Sequence, residues 1–168
     1  MEIRREKPED IAAIHRVNEQ AFGQPVEANL VDTLRRADRA VVSLVAVENG
    51  RVVGHILFSQ VTITGKSGPE KVLRLAPMSV LPEYQKKRIG THLVMAGLAE
   101  CRCLGYRAAV VLGHPDYYPR FGFVPAGRFG LKCEYDAPDE AFMALELEAG
   151  ALGNRGGTVK FQPEFSQA

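Results

Sequence analysis

The chain has 168 residues, with 21 Lys plus Arg against 20 Asp plus Glu, a formal net charge of +1. At 46% hydrophobic and 24% charged residues the composition is that of an ordinary globular domain, which excludes a disordered tail, a collagen-like rod and a disulfide miniprotein. A total so near zero supplies no global field toward nucleic acid or an anionic membrane, although it can conceal opposite local patches.

The length predicts one domain, with residues 1–153 as its body and 154–168 as a C-terminal extension that looks loosely attached. The N-terminus, Met1-Glu2-Ile3-Arg4-Arg5-Glu6-Lys7, is charged and lacks a signal peptide's apolar stretch. The longest apolar segment, Ala40 to Val47, is broken by Ser43 and too short to span a bilayer. A cytoplasmic protein is expected. Cys101, Cys103 and Cys133 form no Cys-x-x-Cys pair, and His15, His55, His92 and His114 lack ligand spacing, so core thiols and no metal site are expected.

Glu2 to Arg5 can start a first strand. Pro8-Glu9-Asp10 then reads as a helix start, with a proline and two acids at the positive end of the dipole, and Ile11, Ile14, Val17, Ala21 and Phe22 recur at helical spacing as a buried stripe. After Gly23-Gln24-Pro25, a second helix over Val26–Arg36 places Leu30, Val31 and Leu34 on one face. Val41 to Glu48 and Arg51 to Thr64, joined by Asn49-Gly50, predict an antiparallel hairpin. Gly65 to Gly68 is a turn signal, and Lys71 to Val80 a third long strand in which Pro77 predicts a bulge or a break in pairing.

From about Arg88 to Leu104 an apolar face of Ile89, Leu93, Ala96 and Leu98 predicts a long helix stopped by Gly105. Ala108 to Leu112 is a short apolar strand, and the order strand, helix, strand implies a parallel crossover at this place. Strands follow near Val124 to Phe129 and Ala141 to Leu147.

Two segments carry chemistry. Val80-Leu81-Pro82-Glu83-Tyr84-Gln85-Lys86-Lys87-Arg88-Ile89-Gly90-Thr91 runs from a strand end through a basic turn into a helix. Such a junction offers unpaired backbone N–H groups and the positive helix end to an anion, so its natural ligand is a phosphate; the plain alternative is a solvated basic helix start. It lacks the Gly-Lys-Ser/Thr ending of a triphosphate loop and the Gly-x-Gly-x-x-Gly of a dinucleotide fold. The second segment, Gly113-His114-Pro115-Asp116-Tyr117-Tyr118-Pro119-Arg120-Phe121-Gly122-Phe123, follows the short buried strand directly.

Together the two resemble the GNAT family of N-acetyltransferases, whose coenzyme grip reads Val-x-Pro-x-x-Gln/Arg-x-x-Gly-x-Gly/Ala and is followed by Tyr-x-x-x-Gly-Phe. The wording of the second segment is most similar to a bacterial YhbS-like subgroup. The resemblance implies the GNAT fold: an α/β domain with a mixed, mostly antiparallel sheet, one parallel strand pair splayed at a bulge, and flanking helices. It also implies acetyl-CoA as co-substrate, with no metal, and direct transfer of acetyl to a primary amine of a small molecule or a protein. By the same resemblance Met78, Ser79 and Val80 offer backbone groups to the pantetheine arm and thioester. Gln85, Lys86, Lys87, Arg88, Ile89, Gly90 and Thr91 hold the pyrophosphate, and Phe121 also borders the coenzyme. Tyr118 falls on the tyrosine that protonates the departing thiolate. A phenol is a neutral donor at pH 7 and suits that task. Dimerisation is common in the family, which admits a homodimer here; neither nucleic acid nor membrane is implied as a partner.

Arg88 stands where the family has its first grip glycine. A helical backbone angle would suit an arginine and its side chain adds charge, so altered geometry with retained binding is expected. No residue identifies itself as the general base. His114 beside the expected thioester and Glu27 at the start of the second helix are the candidates, each with a sufficient structural reason to be where it is. Tyr117, Tyr118, Phe121 and Phe123 can equally be an aromatic cluster closing the sheet. With Arg88 and the base in question, a non-catalytic acyl-CoA sensor or interaction module on the same fold is the alternative reading.

The net charge of +1 is a cancellation. Tyr84 to Arg107 holds five bases (Lys86, Lys87, Arg88, Arg102, Arg107) and one acid, Glu100. Cys133 to Asn154 holds six acids (Glu134, Asp136, Asp139, Glu140, Glu146, Glu148) and no Lys or Arg. The basic run suits coenzyme phosphates, and the acidic stretch predicts attraction of a cationic acceptor if it borders the cleft.

Overall fold

The computed structural model of the protein describes residues 1–65, 71–153 and 156–167; the turn expected at Gly65 to Gly68 lies largely outside them. The strands are β1 (Glu2–Arg5), β2 (Ala40–Glu48), β3 (Arg51–Gln60), β4 (Thr62–Ile63), β5 (Val72–Val80), β6 (Ala108–Leu112), β7 (Val124–Pro125), β8 (Leu131–Cys133), β9 (Phe142–Glu146) and β10 (Gly157–Lys160). The α-helices are α1 (Ile11–Phe22), α2 (Val26–Arg36) and α3 (Ile89–Cys103). The chain forms two compact units, residues 1–59, 76–100 and 163–168 in the first and 60–75 and 101–162 in the second.

In the first unit the strand order is β1-β2-β3-β5. β1 and β2 are antiparallel with Glu2 opposite Val47, and β2 and β3 form the hairpin expected around Asn49-Gly50, with Glu48 opposite Arg51. The hairpin turn is made by two left-handed residues, Asn49 at φ 51° and Gly50 at φ 75°, which matches the twist of the flanking strands. α1 begins at Asp10, whose buried carboxylate accepts from the Lys7 amide (2.7 Å) and from the Arg4 guanidinium (2.7 and 3.2 Å). It ends at Gly23, left-handed at φ 71°. Its stripe is narrower than the spacing suggests: Ile14, Val17 and Asn18 are fully buried, whereas Ile11 and Phe22, at the two ends beside the flanking turns, are solvent-exposed. α2 buries Ala28, Leu30, Val31 and Leu34, each of the larger ones stabilising the fold by roughly 1.5–3 kcal/mol. α3 lies close on β3. A Cβ on Gly97 would sit 2.5 Å from Cε1 of Phe58, and one on Gly54 would meet Leu93 at 3.0 Å, so these two glycines set the helix-to-sheet distance.

In the second unit the order is β5-β6-β9-β7, with a separate small sheet β4-β10-β8. β5 and β6 are parallel, as the strand, helix, strand order predicts, and their registered pairs end at Arg74 opposite Val110. Pairing thus stops short of Pro77, which follows a cis peptide bond from Ala76. β9 is antiparallel to both β6 and β7.

Four expectations need correction here. The strand expected over Val124 to Phe129 is only Val124–Pro125; Ala126–Phe129 is a 3-10 turn closed by left-handed Gly130. Thr62–Ile63 leaves the hairpin to join β10 in the small sheet. The stretch after Asn154 is not loose from Gly157 on. β10 pairs parallel with β8 and antiparallel with β4, Val159 is fully buried, and the Arg74 guanidinium stacks 4.0 Å from the Phe161 ring centre. Of the three cysteines only Cys101 is a core thiol; Cys103 is exposed and Cys133 half-buried.

Candidate active site

The first unit carries the basic turn. β5 leaves Met78 half-exposed and buries Ser79, following the alternation of a strand, and Val80 at its end is buried as well. The Leu81 amide donates to the carbonyl of Val53 (2.9 Å), tying the strand end to β3, and Pro82–Tyr84 then makes a 3-10 turn. Gln85 Nε2 donates back to the Val80 carbonyl (3.0 Å), so that carbonyl is already engaged and the turn is folded against the strand that precedes it.

The turn itself is left-handed twice. Lys86 has φ 64° and Arg88 φ 66°. The right-handed helical angle expected for Arg88 is therefore wrong: the backbone keeps the torsion that favours glycine, and the arginine tolerates it at a cost of about 1–2 kcal/mol. The reason is local. The Arg88 carbonyl accepts the first helical bond of α3, from the His92 amide at 3.0 Å, so the chain must reverse at Arg88 for Ile89 to begin the helix. The amides at Ile89 and Gly90 consequently point out of the helix end, where the dipole favours an anion. Lys86, Lys87 and Arg88 are all exposed, and the Lys87 ammonium lies 5.4 Å from the ring centre of Tyr84. Thr91 is half-buried in the first turn of α3. Beside this turn the Ser79 hydroxyl is buried without a hydrogen-bond partner among the described residues.

Glu27, also in the first unit, is half-buried at the start of α2. Both of its carboxylate oxygens accept from Gln24 Nε2, at 2.9 and 3.1 Å.

The second unit carries the aromatic segment. After β6, the Gly113 amide donates to the Ala141 carbonyl (3.0 Å), and the His114 carbonyl accepts from the amides of Tyr117 and Tyr118 at 3.1 and 3.4 Å. His114 itself is exposed. Tyr118–Phe121 is a 3-10 turn closed by Gly122 at φ 98°. The cluster that the aromatic spacing suggests is present: the Tyr118 ring centre lies 5.1 Å from Tyr117, 6.3 Å from Phe121 and 5.7 Å from Phe123. Tyr118 is 8% exposed, and burial pushes its phenol up to about 12. It is therefore neutral and able to donate across the ordinary pH range. A set that sequence reasoning missed lies in the first unit. His55 is fully buried and its Nδ1 receives the Asn18 amide at 3.2 Å, which makes Nε2 the donor to Ser43 Oγ at 2.9 Å; Ser43 in turn donates to Glu6. Its partners come from α1, from β2 and from the connection after β1, and leave no local spacing to read.

Among the described residues there is no group of three or more His, Cys, Asp or Glu side chains placed to hold a metal, and no helix long and apolar enough to cross a membrane.

The model of the Acetyltransferase (GNAT) family matches residues 10–123. The uncharacterized N-acetyltransferase YhbS of Escherichia coli (strain K12) is 33% identical over 168 residues, 99% of each chain. The uncharacterized N-acetyltransferase YjhQ of the same organism is 40% identical over 134 residues, 78% of this chain and 74% of its own. Among solved structures, YhbS from Escherichia coli in complex with CoA superposes with a TM-score of 0.93 at 32% identity, covering 98% of this chain and 91% of that one. A GNAT family acetyltransferase from Brucella melitensis in complex with acetyl-CoA gives 0.82 at 37% identity, covering 98% and 97%. By its match over residues 10–123 and its full-length likeness to YhbS, the chain belongs to the Acetyltransferase (GNAT) family.

Proposed function

We propose that the protein is an acetyl-CoA-dependent N-acetyltransferase that passes the acetyl group directly to a primary amine. The observation that carries this reading is the doubly left-handed turn Gln85–Arg88 opening onto the N-terminus of α3, a cradle of outward amides ringed by three exposed cations. The relatives support it, since YhbS was solved with CoA and the Brucella protein with acetyl-CoA.

The residues fit such a ligand. Lys86, Lys87, Arg88, Ile89, Gly90 and Thr91 supply charge and amides for the pyrophosphate. Met78, Ser79 and Val80 lie beyond the last registered pair of β5 with β6, so their backbone can take a pantetheine amide as an added strand. The unpartnered Ser79 hydroxyl is a polar group that a bound pantetheine would satisfy. Phe121, half-exposed, offers apolar cover.

In the transfer, the amine nitrogen forms a bond to the thioester carbon while the carbon–sulfur bond breaks, and a fixed backbone amide stabilises the charge that develops on the carbonyl oxygen. Tyr118 gives its phenolic proton to the departing sulfur and recovers one from solvent. The proton lost by the nitrogen goes to a base or to water. Of the two candidates His114 is exposed, whereas both oxygens of Glu27 are already engaged by Gln24, which favours His114.

Isothermal titration with acetyl-CoA, followed by thiol release across an amine panel, tests this reading. Binding with amine-dependent release is expected. Binding without any such release would favour the sensor reading, and no binding would overturn both.

A further inference from the structure

The second unit contains a cavity of about 370 Å³ between the Ala126–Gly130 turn, β8 and the start of β9. Leu131 and Phe142 give it an apolar side, and Tyr135, Asp136 and Asp139 a polar one, with Lys132 as the cation among its lining residues. A volume at the small end of ligand pockets, with few polar groups on an apolar wall, is the form of a small-molecule site.

Five of the six carboxylates of this region fall into two sets; the sixth, Glu140, is exposed and lies outside the cavity lining. Glu134 accepts from the Phe161 amide (2.5 Å), Glu146 from the Leu152 amide (2.8 Å), and Glu148 pairs with Arg107 (2.7 Å), so these three hold the fold. Asp136 and Asp139 have no ion pair among the described residues, and both line the cavity. Two uncommitted carboxylates and one lysine therefore line the cavity.

The cavity is joined by short chain connections to the segment that carries Tyr118. Its wall residue Phe142 stands in register opposite Leu112, the residue before Gly113. The Gly113 amide is bonded to Ala141, the residue before Phe142. Pro125, also in the wall, follows Phe123 by two residues, and Phe123 packs against the Tyr118 ring.

From this arrangement we infer that the cavity receives part of the acceptor, and that the acceptor carries a cationic group separate from the nitrogen that is acetylated. The inference rests on the acetyltransferase reading above. Its chemistry follows from the carboxylates. A pair of them favours the protonated form of an amine and so suppresses the lone pair that must attack carbon. The nitrogen held by Asp136 and Asp139 is thus the one that is not acetylated, and a small diamine with a short apolar spacer over Leu131 and Phe142 is the fitting class.

The test compares three probes of one length, 1,5-diaminopentane, pentylamine and 5-amino-1-pentanol, by CoA release at saturating acetyl-CoA. The diamine is expected to exceed the other two in kcat/KM by about tenfold, the scale of a charge-assisted contact. In the double variant Asp136→Asn, Asp139→Asn the advantage should shrink to within about twofold, through KM with kcat retained. Both positions are exposed, so the variant folds, and titration with acetyl-CoA checks that donor binding is intact. Equal kcat/KM for the three probes, an undiminished preference in the double variant, or acetyl-CoA binding with none of the three acetylated would each overturn the inference. Failure of the wild type to bind acetyl-CoA would instead overturn the acetyltransferase reading.

Discussion

The ring of Tyr118 lies against the backbone of Gly113, so close that a Cβ at residue 113 would sit 2.4 Å from its Cε2 and 2.8 Å from its Cδ2. Glycine at the end of β6 is thus what lets the phenol occupy its buried place. Gly113→Ala should push the ring aside, lowering stability by about 1–3 kcal/mol as an overpacked site and lowering kcat by more than the stability loss explains. Tyr118→Phe keeps the ring and removes only the proton, so it should leave stability within about 1 kcal/mol while kcat falls on the order of a hundredfold. The double variant should be no slower than Gly113→Ala by more than a few-fold, because the first change already disables the second group. Denaturant melts and steady-state kinetics on the three proteins check this, and additive losses in kcat would mean that the glycine acts elsewhere.

The same burial sets a pH expectation. With the Tyr118 phenol pushed up to about 12 by desolvation, first, and by Tyr117, second, its ionisation cannot produce an alkaline fall in rate below about pH 11. A kcat profile of wild type should therefore show no descending limb below pH 10 that is lost in Tyr118→Phe. A descending limb between pH 8 and 10 that disappears in Tyr118→Phe would show the phenol to be far more acidic than its surroundings allow.

Acid should unfold the protein through a polar chain in the first unit. His55 is lowered to about 4, chiefly by burial, so it is neutral at pH 7 and its 4.0 Å approach to Glu6 is no ion pair. Burial alone would raise Glu6, but hydrogen bonds from Arg35 and Ser43, together with the charge of Arg35, hold it below the usual carboxylate range. Between about pH 6.5 and 4 the unfolded chain binds a proton at His55 that the folded chain does not. Stability is therefore complete above pH 6.5 and falls as the pH drops, by about 2 kcal/mol at pH 5 from His55 alone. Glu6 adds a loss of the same sign below pH 4.5. Urea unfolding of wild type at pH 7.5 and 5 reads the slope directly. His55→Leu, which takes one hydrogen-bond partner each from Asn18 and Ser43, should be less stable by about 1–3 kcal/mol at pH 7.5 yet change less between the two pH values.

What is legible in the sequence follows the range of the interactions. α2 is legible over Val26–Arg36 because a proline precedes it and its apolar face is self-contained, and β6 is legible as a short apolar run. β8 and β10 are not, since three or four residues that follow a glycine carry no period, and their pairing joins Leu131 to Gly157 across distant chain. The basic turn could be found from its charges, which sit side by side in the chain. The left-handed torsions of Lys86 and Arg88 could not, because they follow from where α3 takes its first hydrogen bond. The acid-sensitive chain through His55 draws on residues 6, 18, 35, 43 and 55, and no local pattern links them.

Arg88 brings opposite effects to one position, and they can be separated. Its φ of 66° is a backbone state that glycine adopts freely, so Arg88→Gly relieves strain of about 1–2 kcal/mol, part of which returns as the greater freedom of glycine in the unfolded chain. The melting temperature should hold steady or rise by a few degrees. The guanidinium, however, is exposed beside Lys86 and Lys87, where it adds to the field on a phosphate. Acetyl-CoA should bind Arg88→Gly about three- to tenfold more weakly at low ionic strength, with the deficit fading as salt screens the lost charge. Arg88→Lys restores charge but leaves the torsion strained, so it should recover most of the affinity and none of the melting temperature. Calorimetric titrations of the three proteins at two salt concentrations, with melts alongside, distinguish the outcomes. If Arg88→Gly binds acetyl-CoA more tightly than wild type at both salts, the backbone's approach to the phosphate, and not the arginine's charge, governs the grip.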